Sequence, residues 1–210
     1  MDDVNYYMAL FDVPLHFNFQ EASKQGRDYD LRQIFEGTLV EGNPLNVVTF
    51  VDNHDSQPGQ SLESWVEDWF KPLAYALILL RRDGYPCLFY GDYYGIGDSK
   101  TTKEFQAKLD CLLKARRLYA YGEQIDTFDH NNVIASQRLG DTEHQDSGLA
   151  MLISNGDDGS KALSFGSERA STVWHDMTGN RSETITLDEQ GNGTFLDKGG
   201  SVSVWVSGEI

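Results

Sequence analysis

The pattern of hydrophobic and polar positions changes near residue 121. Before this point, short apolar runs alternate with segments whose apolar residues recur at helical spacing. Beyond it, short apolar runs are separated only by turn-forming residues. Alternating strands and helices are typical of a parallel sheet or barrel, whereas strands joined by regular turns are typical of a sandwich. The pattern therefore predicts an α/β region at residues 1–121 and an all-β region at residues 122–210.

The α/β region is predicted to contain three strands and three helices. The strands are expected at 8–15, 47–51 and 86–90, and the helices at 29–39, 69–82 and 105–119. The run 47–51 has no polar break except Thr49, which is typical of a strand covered on both faces. Pro72 fits the second helix only in its first turn, and Gly84 is expected to end that helix. The glycine- and tyrosine-rich stretch 91–97 is expected to be a loop.

The all-β region is predicted to contain seven strands. They are expected at 133–138, 149–154, 161–165, 172–175, 183–187, 193–196 and 202–206. Valines alternate with Ser201, Ser203 and Trp205 in the last of them, which predicts a sheet with one solvated face. The connecting segments are rich in Asn, Asp and Gly, which favour turns.

Composition excludes several classes of function. The 210 residues are 40% hydrophobic, which is enough for a core, and the net charge is −16. Because an acidic surface repels phosphate backbones, nucleic acid is not expected as a partner. Residues 1–5 show no signal-peptide pattern and no apolar run could span a bilayer, so a cytoplasmic protein without a membrane partner is expected. The two cysteines do not form a disulfide framework, and Cys87 is expected to be a buried free thiol.

Candidate chemistry is concentrated at the end of the second predicted strand, where Asp52, Asn53, His54 and Asp55 follow an apolar run. The carboxyl ends of parallel strands are where active sites form in barrels and open α/β sheets. A carboxylate beside an imidazole suits acid–base or charge-stabilising work. The alternative is that the carboxylate and amide side chains only shape a turn or cap a helix. Spacing alone leaves both interpretations open.

Longer stretches resemble a known family. The segment Phe50-Val51-Asp52-Asn53-His54-Asp55 is similar to the motif after the seventh barrel strand of α-amylases in glycoside hydrolase family 13. Further similarity to the bacterial liquefying and intracellular members of that family lies at 10–16, 27–30, 57–67, 69–76, 84–95, 154–159, 178–181 and 199–206. The resemblance therefore covers nearly the whole chain. It implies the sixth to eighth strands of a (β/α)8 TIM barrel, followed by an antiparallel Greek-key β-sandwich.

The resemblance also implies an activity and site residues. The family hydrolyses α-1,4-glucosidic bonds of starch, glycogen or maltodextrins with retention, so an α-glucan is the expected partner. Asp55 matches the carboxylate that stabilises the transition state, and His54 and Asn53 match substrate-binding positions. His16 is a further candidate for contact with the substrate, with a structural, hydrogen-bonded histidine as the alternative.

Two catalytic groups of the family have no match in the chain. The nucleophile motif Gly-Phe-Arg-x-Asp and the strand-ending general acid Glu are both absent from the sequence. Glu63, Glu67 and Asp68 are expected to form a solvated face instead. The chain is therefore expected to be a fragment that is inactive alone. Because a partial barrel exposes sheet edges, a second copy or a complementing half is expected to pair with it.

A calcium ion is implied in relatives, but its ligand positions are weakened here. The matching side chains are Asn131, Asn132 and Asn155, and three neutral amides lack the charge that gives calcium affinity. No metal is therefore expected. Tyr90 is expected to pack at the barrel rim, whereas Tyr93 and Tyr94 either pack there or stack on sugar rings.

Two other functions remain as alternatives. The first is a non-catalytic α-glucan-binding or scaffold fragment, against which the Asn53-His54-Asp55 segment argues, because a binding module has no need of that carboxylate. The second is a transglycosylase of the same family, against which the liquefying-type stretch 65–76 argues by resemblance.

Overall fold

The computed structural model describes residues 8–97 and 101–208, so the segment 1–5 discussed above lies outside the described residues. Three short strands, β1 (Leu10–Phe11), β2 (Val47–Phe50) and β3 (Tyr85–Cys87), form a parallel sheet in the order β1-β2-β3. The helices are α1 (Val13–Gln25), α2 (Leu39–Gly42), α3 (Lys71–Leu80), α4 (Tyr90–Tyr94) and α5 (Lys103–Leu118). Parallel strands alternating with helices give the α/β character expected for this part of the chain.

The predicted strand at 8–15 is wrong beyond Phe11. Asp12 instead begins helix α1, because its Oδ1 accepts a hydrogen bond from the amide of Leu15 at 3.1 Å. Pro14 lies in the first turn of the helix, where its missing N–H leaves no broken hydrogen bond. The N-cap and the first-turn proline therefore favour a helix here, although the apolar run predicted a strand.

The predicted helix at 29–39 is also wrong. The chain forms a single 3₁₀ turn at Leu31–Gln33 and then the four-residue helix α2. Gly37, at φ +71°, separates the two. Leu31 and Ile34 are nevertheless fully buried, so the apolar spacing identified the core residues but not the element.

Helices α3 and α5 are confirmed, as is the position of Pro72 in the first turn of α3. Helix α3 ends at Leu80, so Gly84 does not end it; Gly84, at φ +79°, forms the turn into β3. Residues 73–80 are all buried, since α3 packs against the parallel sheet, α5 and the following β region. The stretch 91–97, expected as a loop, begins inside helix α4.

The all-β region forms two antiparallel sheets. Six strands pair in the order β4-β5-β6-β11-β8-β9, and β7 pairs with β10. These strands are β4 (Gln124–Thr127), β5 (Val133–Arg138), β6 (Leu149–Ser154), β7 (Gly159–Ser164), β8 (Val173–Asp176), β9 (Thr184–Thr186), β10 (Asn192–Asp197) and β11 (Ser201–Val206). All seven predicted strands are confirmed within a few residues, and β4 was not predicted. The arrangement fits the expected β-sandwich.

The prediction of one solvated face for β11 is wrong. Val204 is fully buried in the same core as helices α3 and α5. Trp205, on the opposite face, is fully buried beside Phe195 of β10, at a ring-centroid distance of 6.0 Å. The six-stranded sheet is therefore a middle layer, with helices on one face and the β7–β10 pair on the other.

Both cysteines are free thiols, and Cys87 is only partly buried rather than buried as expected. Within residues 8–97 and 101–208, none of the helices has the length and apolar character needed to span a bilayer.

Candidate active site

The motif segment forms a tight loop directly after the carboxyl end of β2. The Oδ1 atom of Asn53 accepts hydrogen bonds from the amides of Asp55 at 2.8 Å and Ser56 at 2.9 Å. Ser56 Oγ donates to Oδ1 of Asp52 at 2.8 Å and accepts from the amide of Asn53. Two of the polar side chains that the motif contains thus shape the turn, as the structural alternative expected.

The other two motif side chains face solvent. Their exposed fractions are 82% for His54 and 55% for Asp55, and His54 Nε2 lies 3.5 Å from Asp55 Oδ1. Apart from this imidazole, no hydrogen-bond donor is bound to the Asp55 carboxylate among the described residues. A loop held from within therefore presents a carboxylate and an imidazole side by side. This pair can contact a ligand or stabilise a positive charge that develops nearby.

Beneath the loop lies a buried ionic network that the sequence analysis did not identify. Lys71 Nζ lies 2.6 Å from Oδ1 of Asp92 and 3.4 Å from Oδ2 of Asp52. Tyr75 donates its hydroxyl to the other oxygen of Asp92 at 2.5 Å. The network thereby links the motif loop, helix α3 and helix α4.

The network shifts the protonation of its acids. Burial raises the pKa of the Asp52 carboxyl to about 7, against the opposing effect of Lys71, and nearby Asp92 raises it further. Burial also raises the pKa of Asp92, again opposed by Lys71. One ammonium group thus lies close to two buried carboxyls. Because Asp92 has the shorter contact, its negative charge is better compensated than that of Asp52.

A sequence signal for this network exists. Helix α3 contains no charged residue except its first, Lys71, which is 2% exposed. Since a lysine is almost never fully buried unless it is paired, a lysine at the start of such a helix indicates a buried acidic partner. The signal does not tell which of the chain's acids that partner is.

His16 lies in helix α1 rather than at the end of a strand as expected. Its Nδ1 lies 2.5 Å from the carbonyl oxygen of Val51, and its Nε2 lies 2.8 Å from Ser64 Oγ. The ring is buried and stacks on Phe50. Burial lowers the pKa of His16, which favours the neutral imidazole. This position favours the structural alternative, and contact of His16 with a substrate stays a prediction.

The asparagines proposed as weak calcium ligands instead join the two regions by hydrogen bonds. Asn132 and Asn155 use their amide nitrogens, and Asn131 uses its backbone carbonyl oxygen. Asn155 Nδ2 donates to the carbonyl oxygens of Gly26 at 2.8 Å and Tyr29 at 2.9 Å. Asn132 Nδ2 donates to Asn155 Oδ1, and Asn131 accepts a backbone hydrogen bond from Leu31.

Because donating amide groups occupy this position, the residues do not fit a calcium ion. The part of the chain that the structure describes holds no group of three or more His, Cys, Asp or Glu side chains placed to bind a metal.

Of the tyrosines after β3, Tyr90 differs from the expectation. Tyr90, expected to pack, is 70% exposed, and its ring lies 4.6 Å from that of Tyr94, which is also exposed. Tyr93 donates its hydroxyl to Asp110 at 2.6 Å.

Glu63, Glu67 and Asp68 are exposed, as expected for a solvated face.

Curated relatives match the chain along nearly its whole length. It is 52% identical over 207 residues to the glucan 1,4-alpha-maltohexaosidase of Bacillus sp. (strain 707), covering 99% of the chain and 40% of the relative. It is 54% identical over 202 residues to an alpha-amylase of Geobacillus stearothermophilus, covering 96% and 37%. It is 49% identical over 219 aligned positions to the cytoplasmic alpha-amylase of Escherichia coli (strain K12), covering 100% and 44%. The chain thus spans about two fifths of the length of these relatives.

Solved structures share the fold. The alpha-amylase from Geobacillus thermoleovorans, complexed with acarbose, superposes with a TM-score of 0.70 at 17% identity, over 99% of this chain and 50% of that one. The gamma-CGTase from alkalophilic Bacillus clarkii superposes with a TM-score of 0.58 at 22% identity, over 90% of this chain and 31% of that one. No protein-family model matches the chain.

Proposed function

The chain belongs to the α-amylases of glycoside hydrolase family 13 and corresponds to their C-terminal part, and from this we propose that it supplies one catalytic carboxylate of an α-1,4-glucan hydrolase. The names of the relatives, among them a maltohexaosidase and two α-amylases, support an α-glucan as the substrate. The reaction is hydrolysis with retention, which requires a nucleophile and an acid besides any stabilising group.

Asp55 is the stabilising carboxylate in this proposal. Positive charge develops on the sugar ring only as the glycosidic bond breaks, so a fixed anion beside the ring lowers the energy of the transition state more than that of the bound substrate. His54, 3.5 Å from Asp55, binds sugar hydroxyls, and Asn53 holds the loop that carries both. The observation that carries the proposal is the exposed Asp55–His54 pair at the carboxyl end of a parallel strand.

The proposal includes a division of the chain. Residues 1–121 form the last part of a catalytic (β/α)8 barrel, about its sixth to eighth strands, and residues 122–210 form a C-terminal β-sandwich domain. The change from parallel to antiparallel pairing between β3 and β4 supports this division. The edges of the three-stranded sheet pair with the remaining barrel strands or with a second copy. The cytoplasmic α-amylase among the relatives supports a cytoplasmic location.

The chain lacks matches to two catalytic groups that the proposed reaction requires, the nucleophile and the general acid. The sequence holds no match to the family's nucleophile and acid motifs. The 210 residues alone therefore do not hydrolyse starch, and activity requires the N-terminal barrel strands that carry those motifs.

Complementation tests this directly. Reducing-sugar release from soluble starch is measured for the chain alone and for the chain mixed with the N-terminal half of a close relative. Activity only after mixing, strongly reduced by Asp55→Asn but kept by Glu67→Gln on the solvated face, is the expected result. Activity of the chain alone would overturn the proposal that it supplies only one of the catalytic carboxylates. No activity of the chain either alone or after mixing, together with starch retention in a pull-down, would favour the non-catalytic glucan-binding alternative.

A further inference from the structure

Five arginines surround a pocket far from the motif loop. The pocket has a volume of about 390 Å³ and lies where the ends of helices α3 and α5 meet strand β5. Its cationic side chains are Arg81, Arg82, Arg116, Arg117 and Arg138. The whole chain has 17 lysines and arginines against 33 acids, so this local excess of cations opposes the overall charge.

Within the part of the chain that the structure describes, Arg81 is the one arginine of the five that carboxylates neutralise. Arg81 lies 3.0 Å from Asp83 and 2.7 Å from Asp126. Among residues 8–97 and 101–208, no carboxylate oxygen lies within 4.0 Å of the other four guanidinium groups. Four positive charges therefore converge on one pocket without a paired anion among the described residues.

Two of these four arginines are held in place by neutral groups. Arg138 is 7% exposed and donates to the carbonyl oxygens of Leu80 and Gly122 at 3.0–3.3 Å. Arg116 donates to the carbonyl oxygen of Leu79. The contacts with Leu79 and Leu80 satisfy carbonyl groups at the C-terminal end of α3, where a cation is favourable. A carbonyl dipole does not cancel a full charge, so both guanidinium groups remain electrostatically available.

The side chains of the remaining two arginines hold no other described residue in place. The side chains of Arg82 and Arg117 are exposed and make no hydrogen bond or ion pair within the described residues. Repulsion inside the cluster acts on Arg138, whose pKa is lowered chiefly by burial and then by Arg82 and Arg116, while Asp83 and Asp141 oppose this shift. An anion in the pocket would relieve this repulsion.

We propose that the pocket binds a phosphate group, as inorganic phosphate or as a phosphate monoester. A planar guanidinium presents paired N–H donors that match phosphate oxygens, and several such groups around one anion raise affinity and select for multiple negative charge. Tyr121, Leu113 and Ala120 provide a less polar wall on which the organic part of an ester rests. The site is independent of the proposed hydrolase activity.

The affinity depends on ionic strength. The four cations act at short range, whereas the acidic surface repels anions over a Debye length of about 10 Å at 0.1 M salt. Binding is therefore expected to weaken as sodium chloride is added, and more steeply than for a neutral ligand.

Titration calorimetry with the 210-residue chain tests the proposal, using inorganic phosphate and glucose 6-phosphate as separate probes at low ionic strength. The test variant is Arg82→Gln with Arg117→Gln, both exposed positions without partners. The matched control is Lys24→Gln with Lys114→Gln, which removes the same charge from exposed positions outside the pocket. Saturable binding is expected to weaken at least about tenfold in the arginine variant and less than about twofold in the control.

Each outcome is decisive. Tighter binding of glucose 6-phosphate than of inorganic phosphate assigns the site to a phosphate ester, and equal binding assigns it to the phosphate group alone. Absence of saturable binding for both probes overturns the proposal. So does binding that the arginine variant leaves unchanged, or that the lysine control weakens equally.

Discussion

Lys71 Nζ lies 2.6 Å from Oδ1 of Asp92, and the two side chains are only 2% and 1% exposed. The residues come from helices α3 and α4, which precede and follow strand β3. Since the same ammonium group also lies 3.4 Å from Asp52, the ion pair connects both helices to the loop that carries Asp55. Such a connection holds the exposed carboxylate in position without contacting it.

Removing the ammonium group should strongly destabilise the fold. Lys71→Met leaves Asp92 and Asp52 buried without a counter-ion, and breaking a buried ion pair in this way costs about 3–5 kcal/mol. Lys108→Met is the control, because it removes an exposed pair with Glu104, and exposed ion pairs contribute little to stability. Denaturant unfolding followed by tryptophan fluorescence gives both values. A similar loss of stability in the two variants would show that the buried ammonium group stabilises the fold no more than an exposed one.

The protonation of Asp52 should make stability depend on pH. Its pKa rises from 3.8 to about 7 on folding, so between these values the folded chain binds more protons than the unfolded chain. The contribution to stability is therefore complete below pH 3.8 and is lost as the pH rises to about 7.

Asp52→Asn removes this titrating group. The free energy of unfolding should then fall less steeply with rising pH, by up to about 1.4 kcal/mol per pH unit. The measurement is the free energy of unfolding from pH 4 to 8. Asp92 and Asp197, whose pKa values are also raised by burial, retain a slope of the same sign. An unchanged slope would mean that Asp52 is ionised in the folded chain at low pH.

The junction between the two regions should tolerate no side chain at Gly122. This residue has φ +78°, and a Cβ atom there would lie 1.9 Å from the carbonyl oxygen of Gly140, with which it forms a β-bridge. Gly37 has φ +71° but nothing within 4 Å of its Cβ position. Gly37→Ala is expected to cost about 1–2 kcal/mol from backbone conformation alone. Gly122→Ala is expected to cost about 1–3 kcal/mol more, because the backbone must shift.

Thermal and denaturant unfolding of these two alanine variants separates steric overlap from backbone conformation. Equal destabilisation would show that the Gly122–Gly140 contact adjusts without loss.

Substitution of Asp55 should affect turnover more than affinity. In the complemented enzyme, Asp55→Asn is expected to lower kcat by on the order of a hundredfold or more, because the interaction strengthens only as charge develops on the sugar. KM should change little, and Glu67→Gln should leave both constants near their original values. A higher KM with unchanged kcat would assign Asp55 to substrate binding instead.

Local patterns in the sequence determined a large part of this structure. The periodicity of α3 and α5 and the strand runs of the all-β region predicted their elements, because each pattern reports a buried face within one segment. The polar segment that ends the run at 47–51 likewise located the loop that carries Asp55, since a buried strand ends where ionisable residues begin.

Only the tertiary structure decided where these segments meet. The strand predicted at 8–15 became a helix because Asp12 caps it, and β11 became a middle layer because helices cover one face and the β7–β10 pair covers the other. The Lys71–Asp92 pair and the arginine pocket join residues from different elements. Periodicity shows which face of a segment is buried, but the partner on that face is chosen by packing between segments distant in sequence.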